Sequence, residues 1–174
     1  MQSLETHPSE GLPFLRSWIA SSCFVLLSMQ GCTQSPASVT VQGSSFDSAR
    51  AWKDLETLVS IGPRQAGTPG AEKTRDYLKK ELFAAGLKPV EEAFKQATPC
   101  GELAFANVYV DLPPPGLDAT TPWILFCTHY DTKRLPGEFV GANDGGSGTA
   151  VLLELARDLA RAPRGDFGYR LLFL

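Results

Sequence analysis

Apolar residues recur at helical spacing in three segments of the chain, which predicts three amphipathic helices. The first helix is predicted over about residues 48–60, with Asp47 or Ser48 as its N-cap. The second is predicted over about residues 69–85, because Thr68 and Pro69 are typical of a helix start and Gly86 of a helix end. The third is predicted over about residues 147–160. The apolar positions that define them are Ala51, Leu55, Leu58 and Val59; Leu78, Leu82 and Ala85; and Val151, Leu152, Leu155 and Leu159.

Four further segments have the residue pattern of β-strands, at residues 89–95, 104–112, 123–127 and 169–174. Residues 123–127 (WILFC) are continuously apolar, which predicts a strand that is buried on both faces, with Trp123 in the core. A helix separates WILFC from YRLLFL at residues 169–174, so these two strands are predicted to be parallel and joined by a right-handed crossover. The order of helices and strands predicts an α/β fold.

Polar residues with metal-binding chemistry lie beside this crossover. His129 and Asp131 directly follow the WILFC strand, and Asp144 directly precedes the third helix. In open α/β sheets, ligands bind beyond the carboxyl ends of the strands, which is where these residues fall. The imidazole of His129 and the carboxylate of Asp144 are both groups that bind zinc. Asp131 is predicted to accept the other ring N–H of His129 and so to orient it.

Each of these residues also has a purely structural interpretation. A histidine beside a strand is more often structural than a ligand, and Asp144 suits a helix N-terminus, where a carboxylate interacts favourably with the helix dipole. The joint pattern favours a metal site: an apolar strand, H-x-D, a short loop, and GANDGGSG before an apolar helix. Arg64 is predicted to hold its loop through hydrogen bonds to backbone carbonyls. Glu154 is predicted to be a surface or helix-packing residue, not a ligand.

The N-terminal residues 1–32 are predicted to be an export signal. Residues 18–29 (WIASSCFVLLSM) form an apolar run that is too short to span a bilayer but long enough for a signal-peptide core. The run ends in SMQGC, which resembles a bacterial lipoprotein cleavage site and predicts lipidation of Cys32; an ordinary cleaved signal is the alternative. Residues 33–46 are predicted to be a flexible tether. We therefore expect an exported protein, periplasmic or an outer-membrane lipoprotein of a bacterium, that contacts membrane only through Cys32.

Composition and charge narrow the range of partners. The chain is 43% hydrophobic and 20% charged, as expected for a globular protein, and its net charge is −3. Because the basic residues are dispersed, no nucleic-acid partner is expected. An oxidising compartment allows a disulfide between Cys100 and Cys127, but the favoured interpretation is that Cys127 is a small buried residue in a strand.

The segment THYDTKRLPGEFVGANDGGSGTAVLLELARDL, residues 128–159, resembles the zinc-dependent M28 metallopeptidase family. This family includes aminopeptidases and the animal-type glutaminyl-peptide cyclotransferases. Four motifs look more like the cyclotransferase branch: IGPR at residues 61–64, GTPG at 67–70, TPCG at 98–101 and HYDTK at 129–133. A fifth, NDGGSG at residues 143–148, is similar to the aminopeptidases. The resemblance implies that residues 47–174 are the N-terminal part of an M28-type catalytic domain. The implied fold is a three-layer αβα sandwich around a mixed, mostly parallel sheet.

The resemblance also implies a site and a reaction. His129 and Asp144 would be metal ligands, and Asp131 would support His129. The implied cofactor is Zn²⁺, with one ion in a cyclotransferase and two in an aminopeptidase. A cyclotransferase would form N-terminal pyroglutamate and release ammonia, whereas an aminopeptidase would hydrolyse N-terminal residues; both act on peptide or protein N-termini. A non-catalytic, lipid-anchored domain is the third possibility.

In the family, an acidic pair with the catalytic Glu follows the strand that corresponds to YRLLFL. That Glu is therefore expected beyond Leu174, as is a further Asp or His ligand. Because a catalytic zinc has about three protein ligands, we expect this polypeptide alone to be inactive. We also expect it to be unstable, with the edge of YRLLFL unpaired, as a C-terminally truncated form of an active enzyme.

Overall fold

The predicted strands form one mixed sheet in the computed structural model, which describes residues 45–163 and 165–174. The strands are β1 (Val90–Thr98), β2 (Gly101–Leu112), β3 (Trp123–Thr128) and β4 (Gly168–Phe173). β2 pairs antiparallel with β1 and with β4, whereas β3 pairs parallel with β4, so the order is β1-β2-β4-β3. The helices are α1 (Ser48–Ile61), α2 (Pro69–Ala84) and α3 (Ser147–Arg161). The predicted α/β fold with a mixed sheet is confirmed.

All of these elements lie in the unit Val41–Leu174. The predicted signal peptide at residues 1–32, the lipidation site Cys32 and most of the predicted tether lie outside the described residues. Of the helices that the structure describes, none is both long and apolar enough to cross a membrane.

Local signals set the helix ends where the sequence predicts them. The side chain of Asp47 caps α1 by accepting a hydrogen bond from the backbone N–H of Arg50 at 2.9 Å. Thr68 caps α2 by accepting one from Ala71, and Pro69 is the first helical residue. Beyond α2, Gly86 has a φ of 78°, a left-handed conformation that glycine adopts without strain.

The hairpin of β1 and β2 is longer than its sequence pattern predicts. The two strands pair continuously from Val90 with Tyr109 to Thr98 with Gly101, and the rings of Phe94 and Phe105 stack with centroids 5.5 Å apart. The side chains of β1 are exposed or nearly so along its whole length, so no alternation of buried and exposed positions marks this strand. A strand without such alternation is poorly defined by its sequence.

The helices cover one face of the sheet. Alternate residues of β2 and β4 point towards α2 and α3 and are fully or almost fully buried, as expected for a sheet that packs on one side. The shared core consists of Ala71, Leu78, Leu82, Leu87, Val108, Val110, Leu112, Tyr130, Leu152, Leu153, Ala156, Leu171 and Phe173. Within the described residues, no helix covers the opposite face.

The prediction that WILFC is buried on both faces is wrong. β3 is an edge strand, and Trp123 and Leu125 on its outer face are 42% and 56% exposed, so Trp123 is not a core residue. Cys127 points to the same outer face and is exposed, and both it and Cys100 are free thiols. The physical reason is position: β3 has one neighbouring strand, and α3 packs only against its inner side.

The expectation that YRLLFL has an unpaired edge is also wrong. β4 lies inside the sheet, with β2 along one side and β3 along the other. Its inner residues Leu171 and Phe173 have no exposed surface. The predicted parallel pairing of WILFC with YRLLFL is confirmed, from Trp123 with Gly168 to Thr128 with Phe173.

A largely buried charge cluster joins the three helices; it consists of Arg50, Asp54, Glu81, Glu154 and Arg157. Arg157 donates to Asp54 at 2.5 Å, to Glu81 at 2.8 Å and to Glu154 at 3.1 Å. Glu154 therefore is not a surface residue: its side chain is fully buried and accepts two hydrogen bonds from Arg50. Burial alone would raise the pKa of Glu154, but the hydrogen bonds from Arg50, Asp47 and Arg157 hold that pKa below its usual value.

Candidate metal site

His129 and Asp131 lie side by side because the chain keeps its strand-like alternation past the end of β3. Tyr130, between them, points into the core, where its hydroxyl donates to the carbonyl of Ala106 at 2.7 Å. The backbone N–H of Tyr130 donates to the carbonyl of Leu174 at 2.9 Å, which extends the parallel ladder of β3 and β4 by one bond. The alternation therefore leaves the side chains of His129 and Asp131 on the open side, each about half exposed.

The structure brings the three predicted site residues together around the His129 ring. Nδ1 of His129 is 3.1 Å from Oδ1 of Asp131, and Nε2 is 3.3 Å from Oδ1 of Asp144. Because an ionised carboxylate only accepts hydrogen bonds, the Asp131 contact places a proton on Nδ1. In a neutral ring with its proton on Nδ1, Nε2 keeps the lone pair with which a histidine binds a metal cation.

The donor set fits zinc at this position. Imidazole nitrogen and carboxylate oxygen are standard zinc ligands, and two ligands that are each about 2.0 Å from a tetrahedral zinc lie roughly 3.3 Å from each other. Asp131 on the far side of the ring matches the usual arrangement in which a carboxylate orients a metal-binding histidine. Within residues 45–163 and 165–174, no three His, Cys, Asp or Glu side chains converge on a metal position, so the described residues supply two ligands.

Asp144 is carried by an irregular helical turn, Ala142–Gly146, that leads directly into α3. Asp144 and Gly145 both leave the helical conformation, and Gly145 has a φ of 87°. A Cβ atom on Gly145 would lie 2.7 Å from the carbonyl oxygen of Asp131 and 3.1 Å from the ring of His129. Glycine at this position therefore lets the turn approach the segment that carries His129.

Arg64 holds the loops of the site, as the sequence predicts. Its guanidinium is fully buried and, among the described residues, donates to backbone carbonyls alone, those of Leu58, Gly62, Tyr130, Val140 and Gly141. Burial lowers the pKa of Arg64, and the negative charge of Asp131 acts in the opposite direction. The acceptors come from the end of α1, from the segment after β3 and from the loop before Asp144.

Three supporting residues have no distinctive sequence signal. Thr132 is buried and accepts a hydrogen bond from the backbone N–H of Arg64 at 2.8 Å. Thr149, on α3, donates to the carbonyl of His129 at 3.1 Å. Burial raises the pKa of Tyr130, whose hydroxyl also lies 3.4 Å from Arg75. These residues fix the backbone on both sides of His129, and only the fold reveals that they meet there.

A cavity of about 340 Å³ opens beside His129 and Asp131. It lies between the start of α2, the β1–β2 hairpin and Leu174 at the end of β4. Its walls are mainly apolar and include the stacked rings of Phe94 and Phe105. Arg75 and Asn107 are the polar residues of the wall away from the site.

The Gly145→Ala substitution is expected to disturb the site more than an equivalent change elsewhere. The new Cβ meets the backbone of Asp131, so the turn must move away from His129, at an expected cost of roughly 1–3 kcal/mol beyond the backbone strain. Gly137→Ala is the matched control, since Gly137 has a φ of 83° but open space around it. Urea denaturation measures the stability, and NMR of the imidazole of His129 measures the displacement. Equal effects of the two substitutions would contradict this view of the turn.

The comparisons with known proteins agree with this fold and site. Residues 107–174 match Peptidase family M28. The glutaminyl-peptide cyclotransferase of Bothrops jararaca is 32% identical over 148 residues, which cover 75% of this chain and 39% of the relative. The chain is therefore similar to peptidase family M28 and, among its relatives, to glutaminyl-peptide cyclotransferases. It spans less than half the length of the curated relatives it matches.

Solved structures show the same relationship. The glutaminyl cyclase of Porphyromonas gingivalis is 28% identical, with a TM-score of 0.67 over 74% of this chain and 47% of that one. A Zn-dependent exopeptidase from Parabacteroides distasonis is 27% identical, with a TM-score of 0.63 over 74% of this chain and 46% of that one. The fold is therefore shared by proteins of both reaction types.

Proposed function

We propose that the protein is a zinc-dependent enzyme of the glutaminyl-peptide cyclotransferase type, which converts an N-terminal glutamine into pyroglutamate and releases ammonia. The observation that carries the proposal is the 3.3 Å approach of His129 Nε2 to Asp144 Oδ1, with Asp131 behind the ring. The similarity to glutaminyl-peptide cyclotransferases supports this reaction over others that zinc can catalyse.

Each residue of the site has a defined part in this proposal. His129 and Asp144 would hold the zinc, and Asp131 keeps a proton on Nδ1 of His129, so that Nε2 stays free to bind the metal. When bound, zinc supplies a Lewis acid that polarises the side-chain carbonyl of the substrate glutamine. A catalytic zinc has about three protein ligands. We therefore propose that the third ligand and the glutamate that transfers the proton come from protein beyond the described residues.

A second candidate is a zinc aminopeptidase of the same family. Residues 143–148 (NDGGSG) are similar to those of aminopeptidases, and the exopeptidase from Parabacteroides distasonis shares the fold. In this case His129 and Asp144 would contribute to holding two metal ions, which would supply an activated water for hydrolysis. A domain that kept the fold without catalysis is the third candidate.

Peptide assays separate the three candidates. Purified protein that includes the proposed third ligand and glutamate is incubated with zinc and with two peptides that differ only in an N-terminal Gln or Leu. Ammonia and a pyroglutamyl product from the Gln peptide, without free amino acid from either, are expected. Release of free leucine together with two zinc ions per chain would establish the aminopeptidase instead. No product from either peptide, in a protein that contains zinc, would refute both enzymatic candidates.

Zinc removal provides the control for the assay. Dialysis against a chelator is expected to abolish the ammonia release, and stoichiometric zinc is expected to restore it. Ammonia release that survives complete removal of the metal would contradict the proposed zinc dependence.

A further inference from the structure

We propose that Arg64 is a positioning residue for the metal site, and that its guanidinium sets the zinc affinity by fixing the distance between the two ligand-bearing segments. The proposal rests on the proposed function, because zinc is the ligand concerned. It concerns a residue outside the ligand set that has no exposed surface.

The contacts of Arg64 reach both ligand-bearing segments directly. Its Nε donates to the carbonyl of Tyr130 at 3.0 Å, between His129 and Asp131. Its Nη1 and Nη2 donate to the carbonyls of Val140 at 2.8 Å and Gly141 at 3.3 Å, just before the turn that carries Asp144. The rigid guanidinium thus joins Tyr130, the neighbour of His129, to Val140 and Gly141, which precede Asp144.

The backbone of Arg64 adds a second connection to the first segment. Its N–H donates to Oγ1 of Thr132 at 2.8 Å, and its carbonyl accepts from the N–H of Thr132 at 3.3 Å. The guanidinium is also fixed at its other end, because Nη1 contacts the carbonyls of Leu58 and Gly62 at the end of α1. The ligand-bearing segments are therefore held against a helix and not only against each other.

The chemistry of arginine explains why this residue type is needed. A guanidinium offers five N–H donors in a planar, rigid fork, whereas a lysine ammonium offers three donors on a flexible stem. Burying a cation costs free energy, and the side chain of Arg64 donates no hydrogen bond to a carboxylate among the described residues. The guanidinium connects three backbone segments around the ligand pair: the end of α1, the segment after β3 and the loop before Asp144.

Two conservative substitutions of buried arginines test the proposal. Arg64→Lys is compared with Arg157→Lys, which changes a similarly buried arginine in the charge cluster between the helices. Zinc affinity is measured by competition with a chromophoric chelator, at a temperature where circular dichroism shows each variant to be folded. Arg64→Lys is expected to lower zinc affinity about 10–100-fold, as for other residues that orient metal ligands. Arg157→Lys is expected to lower stability while the zinc affinity of the folded protein stays unchanged.

The outcomes distinguish this proposal from the proposed function. Absence of zinc binding by the wild type would refute the proposed function itself. Wild-type zinc affinity in folded Arg64→Lys, or equal losses in both variants, would overturn only the role of Arg64. If Arg64→Lys does not fold, Thr132→Val removes one connection and keeps the guanidinium, with Thr57→Val as a partly exposed control on α1. Thr132→Val is expected to weaken zinc binding severalfold and Thr57→Val to leave it unchanged; equal affinities would overturn the proposal.

Discussion

Replacement of Asp144 by asparagine is expected to reduce the rate of the proposed reaction about 1000-fold, because the amide keeps the shape of the side chain but removes the negative charge that would hold the metal. Asp131→Asn leaves both ligands in place and removes only the acceptor of the His129 ring N–H. Its expected effect is smaller, about 10–100-fold in zinc affinity. Zinc titration and the ammonia assay measure the two effects separately.

Asp111→Asn is the matched control for this series. Asp111 is a partly exposed carboxylate on β2 that pairs with Arg170 and belongs to no part of the site. Its substitution is expected to leave zinc binding unchanged. If the Asp144→Asn variant matched the Asp111→Asn variant in both reaction rate and zinc affinity, Asp144 would not be a metal ligand.

Replacement of Arg157 by methionine is expected to lower the free energy of unfolding by about 3–5 kcal/mol. Methionine fills a similar volume but leaves the carboxylate of Asp54 buried without its cation, and it removes the second cation of Glu154, which keeps Arg50. Both carboxylates are almost fully buried, so water cannot replace the lost hydrogen bonds. Urea denaturation followed by circular dichroism measures the change.

Arg170→Met is the corresponding control on the sheet. Arg170 also pairs with an aspartate, Asp111 at 2.7 Å, but both side chains are more than one-third exposed. Exposed ion pairs contribute little because water competes for both charges, so a loss of no more than about 1 kcal/mol is expected. If Arg157→Met and Arg170→Met lowered the free energy of unfolding by similar amounts, the buried cluster would not stabilise the fold more than an exposed ion pair does.

The elements that the sequence defines correctly are those with strong local signals. The N-caps Asp47 and Thr68 and the apolar periodicity of α3 set three helices within one or two residues of their observed ends. Alternation after β3 and the glycine-rich turn before α3 likewise predict that His129, Asp131 and Asp144 meet. These are short-range features, so one sequence is sufficient to show them.

The elements that were predicted wrongly depend on neighbours distant in the chain. Apolar residues in WILFC indicate a strand, but whether Trp123 is buried depends on which strand and which helix lie beside it. For Glu154 the sequence left a surface and a helix-packing position open, and the choice of the second depends on partners such as Arg50, which is 104 residues away in the chain. The meeting of Thr132, Thr149 and Arg64 around His129 has the same origin, and no local pattern predicts it.

The carbonyl contacts of Arg64 allow the side chains of the loop beside the site to vary. Because the guanidinium binds only main-chain oxygens, it places no demand on the side chains of the segments it holds. Residues 133–138 between those segments are all exposed, and apart from Gly137, whose φ of 83° favours glycine, their side chains can change without loosening the ligand pair. The scaffold thus separates the fixed geometry of the candidate metal site from a variable loop, which is a suitable place to introduce new sequence by protein engineering.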